Sequence, residues 1–420
     1  MSQEVKLINI KGVDVPIIFE EDKSLPIISM QLIFLSSGSI EDNGTAGLAV
    51  FASKMLNEGS LDMSSTDFAK ALEERAVSFN VNCGSETLVF ALSSLEEEFE
   101  FGVGMVEKVL KNPNLSKSVF DKIYTQTLGV ILDEESDFDY VASTRLRYLM
   151  YENSSFKLPS LGTKESIKKI NTKRVDNFIN THLDIANLIV VIGGDIDEQK
   201  AKKLLGKLLS SLKIGKKREL PSFSVSTSQK SEIQLKQSEQ AYIYFGAPLY
   251  LKTDDKDIFK AKVASFILGE SGFGSRLMEE IRVKRGLAYS AYSRFSTEKS
   301  SSSFVGYLQT KNESKDEAIK IVKEVIRGFS KNGVTQKELE QAKKFLLGSE
   351  PLRVETLSQR LSRSFHEYYR GLGLGYFKNE LKMIESLSLK ELNEFIFAHP
   401  EINELIFSIV TNDTAKNAQR

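Results

Sequence analysis

EERAVSFNV at residues 73–81 and VKRGLAYSA at residues 283–291 read as one motif written twice, about half a chain apart. Each is followed by a polar turn, an alternating apolar stretch, a long amphipathic helical pattern and a second helical segment. That last segment is NLSKSVFDKIYTQTLG (114–129) in the first half and GVTQKELEQAKKFLLG (333–348) in the second. The pairing sets Phe79 opposite Tyr289 and Gly129 opposite Gly348. Both halves close on a similar apolar strand, LIVVIGGDID (188–197) and LIFSIVTND (405–413). Self-similarity over such a length is the mark of a duplicated unit.

Between the copies, residues 213–232, KIGKKRELPSFSVSTSQKSE, are rich in Lys, Ser and Pro and carry no apolar period, which predicts an inter-domain linker. The expected organisation is therefore an N-terminal domain over 1–212, the linker, and a C-terminal domain over 233–420. Within each half, period-2 stretches (Ile28, Met30, Leu32, Phe34; then Thr87, Val89, Ala91) adjoin stretches at helical spacing. Residues 313–331, with Ala318, Ile321, Val322, Val325 and Ile326 on one stripe, form the clearest helix. Runs of strands beside runs of helices argue for an α+β class, with helices packed on one face of a mainly antiparallel sheet in each domain.

At 420 residues the chain is long enough for more than one hydrophobic core, and 41% hydrophobic content can fill them. Lys and Arg number 56 against 57 Asp and Glu, so no basic excess draws the chain to nucleic acid or to an anionic membrane. No apolar run approaches the roughly 18 residues of a membrane span, and the opening MSQEVKLINIKGVDV lacks the pattern of an export signal. The expectation from these features is a cytoplasmic protein. The single cysteine, Cys83, lies in NVNCGSE without basic neighbours and reads as structural.

The segment SSGSIEDNGTAGLAVFASKMLNEGS (36–60) resembles the active-site entry of the pitrilysin, insulysin and mitochondrial processing peptidase family. That family has a glycine-serine strand end with an acidic residue, a Gly-Leu-Ala helix bearing His-x-x-Glu-His, and a Gly-Ser/Thr stop. Gly38, Ser39, Gly47, Leu48, Ala49, Phe51, Met55, Leu56, Gly59 and Ser60 fit. The resemblance runs over essentially the whole chain and implies two homologous α/β-roll domains.

The metal motif itself is absent from the matching helix, 45–58. Val50 stands at the first histidine, Ser53 at the glutamate and Lys54 at the second histidine. Zinc takes lone pairs from about four ligands, and neutral imidazoles one helical turn apart supply two of them. Valine has no lone pair, an ammonium repels the cation, and serine is no general base. VILDEES (130–136) resembles the segment that supplies the third ligand, with Glu134 the better match and Glu135 the alternative. A lone carboxylate does not hold zinc, so the reading is of a chain without metal; Lys54 paired with Glu134 would replace the lost charge. The three histidines, His182, His366 and His399, have no ligand spacing.

ILGESGFGSRLMEEIRVKRGLAYSAYSRF (267–295) resembles the family segment that brings an arginine and a tyrosine, seven residues apart, to the active site; Arg282 and Tyr289 match. A helix ending at Gly286 and a strand starting at Leu287 would point both at one spot. The plain alternatives are a salt bridge from Arg282 to Glu279 or Glu280, and Tyr289 as a core aromatic. Gly269, Gly272 and Gly274 do not make a nucleotide loop, because no Lys-Ser/Thr follows and both flanks read as helix; Gly274, Ser275 and Arg276 fit the family's inter-helix turn.

The resemblance implies the non-metal half of a heterodimeric endopeptidase. A homologous partner would carry zinc and the His-x-x-Glu-His helix, and this chain would supply Arg282, Tyr289 and half of a closed chamber for peptide substrates. The alternative is an inert assembly subunit like the family's core proteins in respiratory complexes.

Overall fold

A computed structural model of the chain describes residues 4–42 and 44–412; Met1, Ser2, Gln3, Asn43 and Asp413, which fall inside three of the segments read above, lie outside that range. The chain forms two compact units. In the first, β1 (Glu4–Ile10), β2 (Val13–Glu21), β3 (Ile27–Leu35), β4 (Ser78–Cys83), β5 (Thr87–Leu95) and β6 (Leu188–Gly194) make one sheet in the order β1-β2-β6-β3-β5-β4. Only β2 and β6 run parallel; the other neighbours are antiparallel. In the second, β7 (Ser231–Leu235), β8 (Gln240–Pro248), β9 (Ala288–Thr297), β10 (Ser302–Lys311) and β11 (Ile406–Thr411) make a sheet in the order β7-β11-β8-β10-β9, with β7 and β11 parallel. Leaving out β1, the two orders coincide strand for strand, and β4 corresponds to β9. The duplication read from Phe79 and Tyr289 is thus a duplication of topology, and the α+β class holds.

The main face of each sheet is covered by helices of its own half. In the first unit Phe34, Phe90 and Leu92 meet Phe51, Val106 and Phe178 in one core. In the second, Phe245, Phe304 and Leu308 meet Val263, Val322 and Leu392 in another. The predicted amphipathic helix appears as Lys315–Asn332, with Ala318, Ile321, Val322 and Ile326 buried.

The compact units do not follow the contiguous halves 1–212 and 233–420. Residues 1–132, 159–221 and 352–375 form the first unit, and 133–158, 222–351 and 376–420 the second. The cause is a second covered face on each sheet. Helix Phe138–Met150, from the first half of the sequence, lays Leu146, Leu149 and Met150 against Ile406 of β11 and Tyr244 of β8. Helix Leu357–Arg370, from the second half, lays Leu361 against Ile18, Ile33, Ile189 and Val191. Glycines make room for both: a Cβ on Gly193 would come within 3.3 Å of Leu361, and one on Gly246 within 2.5 Å of Met150. Arginines fasten both helices, Arg145 to Glu232 at 2.5 and 2.6 Å, and Arg360 to Glu20 and Asp22 at 2.6 and 2.5 Å.

This second face also corrects the reading of β5. Leu88, Phe90 and Leu92 take the deeper side, while Thr87, Val89 and Ala91 turn half-buried to the other. Residues 214–230 contain no helix or strand, and the division between units falls after Pro221. The segment is nonetheless tied down: Arg218 bonds the buried Asp184 and donates to the carbonyls of Ser36, Thr181 and His182. Further along, Phe223 stacks on Phe156 at 4.9 Å, and Ser231 and Glu232 already belong to β7.

Candidate functional site

The helix that resembles the metal helix spans Leu48–Leu56. Its N-terminus is held by the buried Asp42, whose carboxylate accepts from the Gly47 and Ala49 amides at 2.7 Å each, as acidic groups do at exposed helix amides. Gly47 leads in with φ +94, a torsion that costs glycine nothing. Val50 is half-buried and offers no ligand atom. Ser53 turns its hydroxyl back to the Val50 carbonyl at 2.8 Å, a local bond with no role toward an external group.

Lys54 extends to the helix Lys117–Glu134, where its ammonium donates to Thr127 Oγ1 at 3.1 Å. Thr127 lies seven residues before Glu134, roughly 10 Å along the helix at 1.5 Å per residue. The bond that Lys54 makes is thus to a hydroxyl, not the charge-replacing pair expected with Glu134 or Glu135. Burial holds its pKa below the usual lysine range. The four positions do not fit a zinc ion. Among the described residues no group of three or more His, Cys, Asp and Glu side chains is placed to hold a metal.

The histidines are accounted for locally. His182 is buried, donates from Nδ1 to the Phe178 carbonyl at 2.9 Å and stacks on the Phe178 ring. His399 meets Glu401 at 2.8 Å. His366 lies beside Phe365, and burial lowers its pKa. Burial, with the nearby Asp42 charge, pushes the Cys83 thiol up to about 12, so it carries no thiolate at neutral pH.

In the second unit two backbone irregularities aim Arg282 and Tyr289. A helix turn over Glu279–Val283 takes π geometry, a feature often found where function needs a side chain re-aimed. The chain then reverses at Gly286, with φ +63, and the Gly286 and Leu287 amides close the helix on the Arg282 and Ile281 carbonyls. The strand starts at Ala288, one residue after the expected Leu287. Ala288 pairs with Thr310 and Ala291 with Leu308, so Tyr289 and Ser290 together oppose Gln309 in a β-bulge at the sheet edge.

The bulge leaves the Tyr289 carbonyl free to accept from Arg282 Nη1 at 2.9 Å, and the Arg282 guanidinium carbon sits 4.4 Å from the Tyr289 ring centroid. Tyr289 is 81% exposed, which removes the core-aromatic alternative. Its hydroxyl has no partner among the described residues. Arg282 pairs with neither neighbouring glutamate; Glu280 is engaged by Lys284 at 2.5 Å and Arg285 at 2.6 Å. A guanidinium with spare N–H groups beside a free phenol is a donor pair for an oxygen acceptor.

A third side chain, Phe273, joins them. Its ring centroid lies 4.5 Å from the Arg282 guanidinium carbon. It sits in the turn between a π-helical segment, Phe266–Glu270, and the helix Arg276–Met278, whose N-terminus the Ser275 hydroxyl caps. The Gly274–Ser275–Arg276 turn is therefore an inter-helix turn, flanked by helix on both sides. Nothing in the sequence around Phe273 marks it out except an aromatic between two glycines.

Two family models match the chain: Insulinase (Peptidase family M16) over residues 18–164, and the Peptidase M16 inactive domain over residues 169–346. A relative from Helicobacter pylori, named "Non-peptidase homolog YmxG", is 42% identical over 398 residues, covering 95% of this chain and 92% of the relative. The chain belongs to the M16 insulinase family. Among solved structures, the M16 inactive domain from Pseudomonas fluorescens superposes with a TM-score of 0.88 at 24% identity over 98% of both chains. A chain of complex III2 from Candida albicans superposes at 0.81 with 14% identity over 99% of both, a likeness of fold alone. This M16 chain thus has the family's two-unit fold.

Proposed function

We propose that this chain is a non-peptidase M16 subunit that completes the active site of a zinc-bearing M16 partner in a heterodimeric endopeptidase. The observation that carries the reading is the contrast within one chain. Val50, Ser53 and Lys54, read as the metal positions, cannot bind zinc, while the half-buried Arg282 and the exposed Tyr289 are aimed by a π turn and a bulge. A structural subunit gains nothing from an exposed tyrosine beside a guanidinium. The relative from Helicobacter pylori, named a non-peptidase homologue, supports the first half of the reading.

The chemistry of metal and water belongs to the partner. This chain's part is to donate. The Tyr289 hydroxyl and the free N–H groups of Arg282 donate to the carbonyl oxygen of an extended peptide and stabilise the negative charge that develops there. Peptides and short unfolded segments are the substrate class, since a two-subunit chamber excludes folded proteins.

The test is reconstitution. The chain purified without an affinity tag is expected to hold no stoichiometric zinc and to cleave no peptide. Mixed with a zinc-motif M16 homologue from the same organism, it is expected to form a 1:1 complex whose cleavage is abolished by a chelator. Chelator-sensitive zinc in the isolated chain overturns the reading. Recovery only within a large membrane complex, with no zinc-bearing homologue, would favour the assembly-subunit alternative.

A further inference from the structure

Arg282 is a long side chain on the surface, yet it is held on two sides. The Phe273 and Tyr289 ring centroids lie 4.5 and 4.4 Å from its guanidinium carbon, and one N–H is fixed on the Tyr289 carbonyl at 2.9 Å. A guanidinium has five N–H donors, so four remain for an acceptor. A ring face attracts the cation and does not compete for those donors.

Phe273 is placed for this contact by the backbone and not by packing. It is 67% exposed, so it contributes little to any core. Gly272 and Gly274 on either side have φ +65 and +93, and a Cβ on either would meet nothing within 4 Å. Glycine is therefore used there for torsion and not for room. The torsions lift the Phe273 ring out of the turn and over Arg282.

We infer that Phe273 is a positioning residue for Arg282. It restricts the guanidinium so that its free N–H edge is presented to the substrate oxygen without loss of rotamer freedom on binding. The inference rests on the proposed function, in which Arg282 is a donor to substrate. Misplacement of a catalytic donor by about 1 Å can slow a reaction by as much as 10²-fold, so a partly released arginine should be visible in turnover.

The experiment uses the complex with the zinc-bearing partner. Phe273→Leu keeps an apolar side chain and removes the ring. It is expected to lower kcat by roughly tenfold, with KM and complex yield unchanged, and Phe273→Tyr is expected to restore turnover. In an Arg282→Ala background, Phe273→Leu should have no further effect, because the two act through one group. In the free chain, Phe273→Leu should move the Arg282 side-chain Nε–H resonance by removing a ring current.

An additive loss in the Arg282→Ala background, or an unmoved Arg282 resonance, overturns the positioning role. If Arg282→Ala slows cleavage and Phe273→Leu does not, the positioning role alone fails. If Arg282→Ala leaves cleavage intact, the functional reading fails and the positioning role falls with it.

Discussion

The same strand position tells opposite stories in the two units. In the register that pairs Phe79 with Tyr289, Leu72 pairs with Arg282. Leu72 is 7% exposed, and Phe79 packs on the rings of Phe68 and Phe90 at 6.0 and 6.2 Å. Arg282 and Tyr289 stand at the surface, with Tyr289 81% exposed. One copy has turned this corner into core, where a buried aromatic or leucine contributes about 1.5–3 kcal/mol. The other forgoes that gain and keeps two donors at the surface, Arg282 half-buried and Tyr289 exposed. Identical topology means the difference is not imposed by the scaffold. It lies in four side chains, and the polar pair adds only one side-chain-to-backbone hydrogen bond and ring contacts at the surface in place of that core.

The comparison extends to the helices that cover the second face of each sheet, and the largest expected effects test whether those two coverings are equivalent. Leu361→Ala in the first unit and Met150→Ala in the second, both buried, are each expected to cost about 2–5 kcal/mol. The shift in urea midpoint measures this. A loss in one unit with little in the other would show that the exchanged helices do different jobs.

A smaller effect comes from His182, which is fully buried, whereas its counterpart when β6 is laid on β11, His399, is half-buried and meets the Glu401 carboxylate. Burial lowers its folded pKa below the ordinary value of 6.5. The folded chain favours the neutral ring, whereas the unfolded chain takes up a proton as pH falls below about 6.5. The stability it contributes is therefore full above that pH and declines as pH drops. His182→Phe keeps the stack on Phe178 and is expected to flatten the fall in melting temperature between about pH 7 and pH 5. An unchanged slope would assign the acid sensitivity elsewhere, His366 being the first candidate.

The smallest effect expected is at Lys54. Its half-buried ammonium has the Thr127 hydroxyl for a partner and no carboxylate among the described residues. Lys54→Met should leave thermal stability unchanged or raise it, since an apolar chain of similar length avoids desolvating the charge. A loss of more than roughly 1 kcal/mol would speak for an ionic role at this position.

Much of this was legible in residue patterns. The alternation of β3, the stripe of helix Lys315–Asn332, the reversal at Gly286 and the turn at Gly274–Ser275 follow from local rules of period and torsion. The duplication implies that the two sheets share a strand order, though not which order it is, nor the extra edge strand β1. What local rules do not carry is the choice of partner for an apolar face. Helix Phe138–Met150 announces that one side is apolar, but not that this side covers β8 and β11. The signal was in the strands: LIVVIGG and IFSIVT are buried at every position, and a strand without polar alternation needs cover on both faces. The site was half legible. Arg282 and Tyr289 follow from the family pattern, whereas Phe273 and the Lys54–Thr127 bond depend on where backbones come together in space.

The most direct test of the central claim is Tyr289→Phe, which removes one hydroxyl and leaves the ring beside Arg282. It is to be measured with Arg282→Ala in the proposed complex with a zinc-bearing M16 homologue, following both complex yield and peptide cleavage. Loss of one donor to the developing oxyanion should slow turnover by roughly 10²–10³-fold, about 2.7–4 kcal/mol, with complex formation unchanged. Cleavage at the original rate by both variants in an intact complex would contradict the account and leave this chain as a wall of the chamber.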